Sequence, residues 1–279
     1  MSWGPAIYTG GYVGERTLPS FDPSTPAEPR IYNYLLGGKD NFAVDREVAE
    51  KLVSKRRYIG RWQYPAIENR RFLERAVRYL MEQGIRQFID VGCGLPTEKD
   101  NVHQIAHAID PETRIAYVDY DPEVYVHFRT LLDGVPNTVV IRADARSPKD
   151  ILDHPDLTAL IDLSEPVAIL LVALLHHIPD EDDPEGVVAC FRDAMAPGSH
   201  LVISHMTNDG PPPTSAARFE QAFETVRESM TLRPRDRIRS FFGDLELVEP
   251  GLVDGGHWHP DEDETPPSNW LVVGVAKKP

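Results

Sequence analysis

The chain has 279 residues, 41% of them hydrophobic, and carries Lys+Arg 29 against Asp+Glu 44 for a formal net charge of −15. That length and apolar content suit one α/β domain with additions, and the acidic balance repels phosphate backbones, which disfavours nucleic acid as a partner. No apolar run approaches the roughly 20 residues of a membrane span, the first residues do not pattern as a secretory signal, and Cys93 and Cys190 give no disulfide framework, so a reducing cytoplasm is the simplest location.

Residues 1–29 are rich in Pro, Gly, Ser and Thr and end in Pro23-Ser24-Thr25-Pro26-Ala27-Glu28-Pro29. They read as an extended arm, held either by the chain's own core or by a second subunit of a homodimer. Residues 30–84 read as a helical cap. Ile31, Tyr34 and Leu35 have i, i+3, i+4 spacing, and Gly37-Gly38 forms a stop. A second helix is expected over Val44–Arg56, and a third over Pro65–Gln83 with Leu73, Val77, Leu80 and Met81 on one face.

From residue 85 onward strands alternate with helices: Gln87–Val91, Arg114–Asp119, Thr138–Arg142, Val167–Val172 and His200–Ser204, with helices over Val102–Ile109 and Pro184–Met195. Such alternation predicts a parallel sheet covered on both faces. A helix over Thr214–Met230 follows. Leu245–Val248 and Trp270–Ala276 then come with no helical signal between them, which predicts an antiparallel pair at the sheet edge. Arg233 to Arg239 is a local basic run, read as a helix start with solvated arginines.

The sharpest signal is Phe88-Ile89-Asp90-Val91-Gly92-Cys93-Gly94-Leu95-Pro96-Thr97, an apolar strand entering a Gly-x-Gly turn. Glycines let the backbone turn tightly and approach a ligand, and a helix N-terminus next in the chain offers N–H groups to an anion. Asp90 before the first glycine suits a cationic amino group better than a pyrophosphate. The third glycine of the dinucleotide pattern is missing, with Pro96 and Thr97 near its place. Asp119 ends the second strand, where a carboxylate accepts both hydroxyls of a ribose. Asp144 ends the third, placed to meet an adenine amine. Three acids after successive strands, with glycines after the first, outline a nucleoside carrying an ammonium group. The plainer alternative is that Asp119 and Asp144 cap the following helices.

On these residues the chain from about residue 85 resembles the class I S-adenosylmethionine (SAM)-dependent methyltransferases. More narrowly, Tyr32-Asn33-Tyr34-Leu35-Leu36-Gly37-Gly38-Lys39-Asp40-Asn41-Phe42, Asn69-Arg70-Arg71-Phe72-Leu73 and Asp90 to Thr97, continuing to Asp100-Asn101-Val102-His103, resemble a bacterial S-adenosyl methyltransferase family whose acceptor is unassigned. The resemblance implies a Rossmann-like, seven-stranded, mostly parallel α/β sheet with an antiparallel last strand, over residues 85–279, and SAM as cofactor. It implies that Gly92, Cys93 and Gly94 line the methionine portion, Asp90 holds the ammonium, Asp119 the ribose, Tyr120 stacks near the adenine, and Asp144 and Ala145 meet the adenine edge. Ala173 to His176, Leu175 included, would lie beneath the sulfonium. Pro96 removes an N–H donor, so a side chain such as Arg70 or Arg71 is needed for the methionine carboxylate.

His176 and His177, in Leu174-Leu175-His176-His177-Ile178-Pro179-Asp180, sit where the superfamily places its acceptor-facing loop. They are the candidates for a general base, the plainer reading being two histidines that order the loop. The Asn/Asp-Pro-Pro-Tyr signature of amino-directed nucleic-acid methyltransferases is absent, so a small-molecule acceptor is expected. Gly37-Gly38 reads either as a hinge, with Asp40 and Asn41 offering contacts to the cofactor, or as a helix stop with Asp40 or Asn41 capping the next helix. His257-Trp258-His259, near Asp261, Asp263 and Glu264, matches no defined metal spacing and reads as a solvated loop. Cys93 reads as packing, not as a nucleophile. Two alternatives stand beside methyl transfer: a SAM-binding sensor or partner-regulated protein without catalysis, and a dinucleotide oxidoreductase, which requires an all-parallel sheet.

Overall fold

The computed structural model describes residues 18–53, 63–261 and 267–279. Eight strands form one sheet: β1 (Gln87–Val91), β2 (Arg114–Asp119), β3 (Thr138–Arg142), β4 (Ala168–Val172), β5 (His200–Met206), β6 (Glu246–Leu247), β7 (Val253–Asp254) and β8 (Leu271–Lys277). Their order is β3-β2-β1-β4-β5-β8-β6, with β7 also pairing β8. The first five strands are mutually parallel, and β8 runs antiparallel to β5, β6 and β7. The mostly parallel sheet with an antiparallel last strand is as expected, with eight strands in place of seven. The extra strand, β7, has two residues, too few for any alternation to show. The antiparallel β8 removes the dinucleotide oxidoreductase reading.

Strands β1, β4 and β5 are buried along their whole length, which is why they read as continuous apolar runs. Helices cover both faces: α3 (Gln63–Glu82), α4 (Val102–Ile109) and α5 (Pro122–Leu131) among those on one side, with α6 (Pro148–Leu152), α7 (Pro155–Leu160) and α8 (Pro184–Ala194) on the other. Strand β1 pairs β2 on one side and β4 on the other. The connections therefore reverse there, and a crevice opens beyond the carboxyl ends of the strands, the usual ligand position in such sheets.

Three helices precede β1: α1 (Glu28–Leu35), α2 (Ala43–Val53) and α3. The arm residues 1–17 and the 54–56 end of the expected second helix lie outside the described residues. Helix α1 ends as the Gly-Gly signal predicts. Gly37, at φ +84°, donates to Tyr34 O, and Gly38 donates to Asn33 O, the paired bonds of a Schellman stop. Asn41 bonds Asn33 and Gly38, so neither it nor Asp40 caps α2. That role falls to Asp45, which accepts from Phe42 N at 2.8 Å and from Ala27 N at 3.0 Å. Asp45 also receives Arg30 Nε at 2.8 Å, both side chains being buried, while Arg30 Nη1 reaches Glu123 on α5 at 3.1 Å. A buried arginine bridging two carboxylates ties α1 to α2 and α5, because breaking such a pair leaves an uncompensated charge.

Three expectations of helix and loop are corrected. Helix α9 spans Pro213–Ala222 and stops short of Met230. Beyond it the backbone bonds outward: Arg227 N to Pro26 O and Thr231 N to His176 O, which leaves no ladder for a longer helix. Arg233, before α10 (Arg235–Ser240), is not solvated but 1% exposed. It donates to the carbonyls of Leu175 (2.8 Å) and Ile178 (2.7 Å) and to Asp180 Oδ1 (2.6 Å). The loop expected to be solvated around Trp258 is anchored instead. Trp258 is fully buried, edge-on to Phe72 and Tyr79 at 5.4 and 5.6 Å, with His257 and His259 exposed on either side. Asp263 and Glu264 lie outside the described residues.

Candidate cofactor cleft and acceptor pocket

Strand β1 delivers Asp90 to the crevice, 6% exposed, its carboxyl without a hydrogen bond among the described residues. Burial pushes its carboxyl up to about 7, Arg70 opposing the shift and Asp119 adding to it. The turn that follows holds Gly92 at φ +71° and Gly94 at φ +63°. A Cβ on Gly92 would lie 2.6 Å from the Leu174 side chain, at a backbone angle that favours glycine. Cys93 lies beside them, and burial, with Asp119 and Asp90 adding, pushes its thiol well above the usual range. A thiol held neutral is no nucleophile.

Asp119, at the end of β2, accepts from Gly94 N (3.0 Å) and Asp121 N (2.9 Å). Helix α5 is capped by Asp121, whose Oδ1 accepts from Glu123 N and Val124 N. Asp119 is therefore not the helix cap, and its carboxyl, raised to about 7 chiefly by burial, faces the cleft. Asp144, two residues past β3, is likewise no cap. It accepts from Arg146 N and is gripped by the Arg146 guanidinium at 2.6–3.1 Å. Tyr120 donates its hydroxyl to Glu228 at 2.6 Å, with the Arg227 guanidinium 5.5 Å from its ring centre.

Gly92, Gly94, Asp119, Tyr120, Asp144, Ala145 and Ala173 line one cleft, together with His177, Arg227 and Glu228. Asp90, Cys93 and Arg70 line its continuation on the other side of the glycine turn, where Glu28, Gly92, Gly94 and Ala173 are shared. Leu175 departs from its expected place: it is fully buried in the core below, and Leu174 lines the cleft instead. The φ of +54° at Ala173 turns the chain so that side chains 173 and 174 face outward and 175 inward.

The anion-binding half of the glycine motif also differs from expectation. Residues 95–101 separate Gly94 from α4, so the turn does not run straight into a helix. The start of α4 serves itself, Gln104 Oε1 accepting from Asn101 N at 3.1 Å. Arg70 of α3 comes to the cleft in its stead, held by Asp100 O (2.5 Å) and Thr97 Oγ1 (3.2 Å), while its Nε is buried with no hydrogen-bond partner. A buried orphan donor costs about 1–3 kcal/mol, and a ligand carboxylate beside it removes that cost. The unpaired Asp90 carboxyl and the orphan Arg70 Nε thus fit the ammonium and carboxylate of an amino acid.

An apolar pocket adjoins this cleft. Ile31, Tyr32 and Leu35 of α1, Leu52, Phe219, Phe223 and Met230 line it, and Glu28, Ala173 and His177 stand at the shared mouth. His176 is 3% exposed, and its Nδ1 accepts from Met206 N at 3.3 Å. His177 Nδ1 lies 2.8 Å from Ser229 O, and its Nε2 is buried, unbonded and 3.8 Å from Glu28 Oε1. Burial lowers the pKa of both histidines, which holds them neutral. Glu28, Arg227, Glu228 and Arg146 escaped the sequence reading. Glu28 stood in a stretch read as an arm, Arg227 and Glu228 in one read as helix, and Arg146 carried no motif.

The sheet order, the antiparallel β8 and the acid-lined cleft define a class I SAM-dependent methyltransferase fold with SAM as its cofactor. Residues 15–279 match the S-adenosyl methyltransferase family, and the chain belongs to it. Among solved structures, it is similar to a candidate methyltransferase from Thermobifida fusca YX (42% identity, 91% of this chain and 96% of that one, TM-score 0.84). It is also similar to a DUF574 family protein from Streptomyces avermitilis MA-4680 (36% identity, 92% and 99%, TM-score 0.85). The magnesium protoporphyrin IX methyltransferase of Synechocystis PCC 6803, solved with bound SAM, shares the fold at 11% identity, 85% and 92% coverage and TM-score 0.51. No curated protein matches the chain. Among the described residues no helix is long and apolar enough to cross a membrane.

Proposed function

We propose that this methyltransferase acts on a small-molecule acceptor in the cytoplasm, with the residues of the cleft in the following roles. Asp90 pairs with the ammonium of the methionine portion, Arg70 with its carboxylate, and Gly92, Cys93 and Gly94 give the close backbone approach. Asp119 receives the ribose hydroxyls, Tyr120 flanks the adenine, and Asp144 and Ala145 meet its edge. Bound SAM supplies an electrophilic methyl group. The protein's part is to position the acceptor, exclude water and take up a proton where the acceptor carries one. His177, at the mouth between cleft and pocket, is placed for that last task. His176 lies deeper and braces it, the two ring centres being 4.5 Å apart.

The observation that carries this reading is the orphan Arg70 Nε in the same part of the cleft as the Asp90 carboxyl, which makes no hydrogen bond. Either group alone is a cost to the fold, and together they match the two charges of an amino acid. Calorimetric titration with SAM tests it, with Asp119→Ala as control. The expected result is saturable one-to-one binding weakened about 100-fold by the substitution, the loss of roughly two hydrogen bonds to a charged group at about 1.5 kcal/mol each. A folded protein that binds no SAM rejects the assignment.

A further inference from the structure

The pocket beside the cleft has two ends of different chemistry. Its far end is apolar, with Ile31, Leu52 and Met230 around two phenyl rings, Phe219 and Phe223, whose centres lie 5.4 Å apart. Its near end, at the mouth shared with the cofactor cleft, holds Glu28 and His177. The His177 ring stands 6.1 Å from that of Phe223, so the aromatic wall continues up to the polar end. Aromatic walls of this kind favour a flat ring, held by stacking and edge contacts.

The protonation of His177 is fixed by its neighbours. A backbone carbonyl only accepts, so the 2.8 Å contact with Ser229 O places the imidazole proton on Nδ1. Nε2 is then a lone-pair acceptor, and it is the ring atom left without a partner in a side chain 9% exposed. Such an atom calls for a ligand that donates a hydrogen bond. Glu28 Oε1 lies 3.8 Å from it, too far for a hydrogen bond and close enough to pair with an imidazolium. Glu28 itself is held in place by its backbone N, which donates to Glu228 Oε2 at 2.8 Å.

We propose, resting on the assignment of the cleft to SAM, that the acceptor is a planar, apolar ring compound bearing a hydroxyl, that His177 is its general base, and that Glu28 is a positioning residue for the protonated base. The ring occupies the pocket between Phe219, Phe223 and Met230, and the hydroxyl donates to His177 Nε2. The hydroxyl oxygen forms the new O–CH3 bond, the C–S bond breaks with its electron pair left on sulfur, and the hydroxyl proton passes to Nε2. Burial, with Glu228 and Asp119 nearby, pushes the Glu28 carboxyl well above its usual range, and the imidazolium so formed 3.8 Å away favours its ionised form. A neutral amine fits this site less well, because methylation leaves a cation next to an imidazole that has yet to take its proton.

The test uses the full chain with 2-naphthol as the probe. S-Adenosylhomocysteine is titrated first, and failure there rejects the cofactor assignment. 2-Naphthol is then titrated into the loaded protein, and failure at this step alone rejects the acceptor class. Binding is expected, with naphthalene at least about tenfold weaker, the worth of one hydrogen bond. Met230→Trp, which fills the far end, is expected to abolish 2-naphthol binding while S-adenosylhomocysteine still binds. With SAM, 2-methoxynaphthalene is expected. His177→Gln should lower kcat about 100-fold with little change in KM for 2-naphthol. Glu28→Gln should lower kcat about tenfold, again at constant KM, and Glu28→Asp should recover part of the loss. Nitrogen NMR of His177 should show the proton on Nδ1. Equal binding of naphthalene, bound 2-naphthol that is not methylated, an undiminished kcat in His177→Gln, or a proton on Nε2 each overturns the proposal.

Discussion

Asp90→Asn separates what the site costs the fold from what it does for the ligand. Asp90 is 6% exposed, and its carboxyl is raised to about 7, mainly by burial. The unfolded chain titrates near 3.9. Between pH about 4 and 7 the native state therefore holds a proton that the unfolded state has released, so stability falls as pH rises through that window and levels off above it. About three pKa units at 1.36 kcal/mol each set an upper bound near 4 kcal/mol at pH 8, and solvent in the cleft reduces this to about 2 kcal/mol. Asparagine removes the penalty at nearly constant shape. The ligand-free variant should melt roughly 4–8 °C above the parent at pH 8, and this gain should shrink by more than half at pH 5, where Asp90 is already protonated. SAM should then stabilise the parent and hardly the variant. Differential scanning calorimetry at both pH values, with and without SAM, reads all of this. A variant less stable than the parent at pH 8, or a gain independent of pH, refutes the reasoning.

Arg70→Met removes the partner assigned to the methionine carboxylate; it should weaken SAM about tenfold or more and leave 5′-methylthioadenosine, which lacks the amino acid, within about twofold by calorimetry. Equal losses for both ligands would place Arg70 elsewhere in the site. Arg233→Met strips the hydrogen bonds from the carbonyls of Leu175 and Ile178 and should cost about 3 kcal/mol, a fall in melting temperature of roughly 6–12 °C. An unchanged melting temperature would show that the loop carrying His176 and His177 is held by other means.

Three parallel strands have the bounds their apolar runs predict, Gln87–Val91, Arg114–Asp119 and Thr138–Arg142. Burial on both faces makes such strands visible as runs, and the acids that end them mark the cleft. Asp90, Asp119 and Asp144 were legible for that reason. What the sequence hid is set by contacts distant along the chain. Glu28 meets Glu228 across 200 positions, and the backbone beyond Ala222 leaves the helix because its partners lie at Pro26 and His176. Periodicity reports only neighbours within a turn or two, so neither event leaves a local trace. Leu175 was misplaced by one residue for a related reason: the left-handed turn at Ala173 decides which of the next side chains faces out, and alanine gives no hint of it. The basic run around Arg233 looked solvated because charge alone does not tell an arginine that caps buried carbonyls from one that faces water.

The most direct measurement of the account is a crystal structure of the protein with S-adenosylhomocysteine. Ribose hydroxyls are expected on Asp119, the ammonium at Asp90, the carboxylate on Arg70, and the sulfur at Ala173 facing the mouth held by Glu28 and His177. An adenine or amino-acid moiety seated elsewhere, or a sulfur turned away from that mouth, would contradict it.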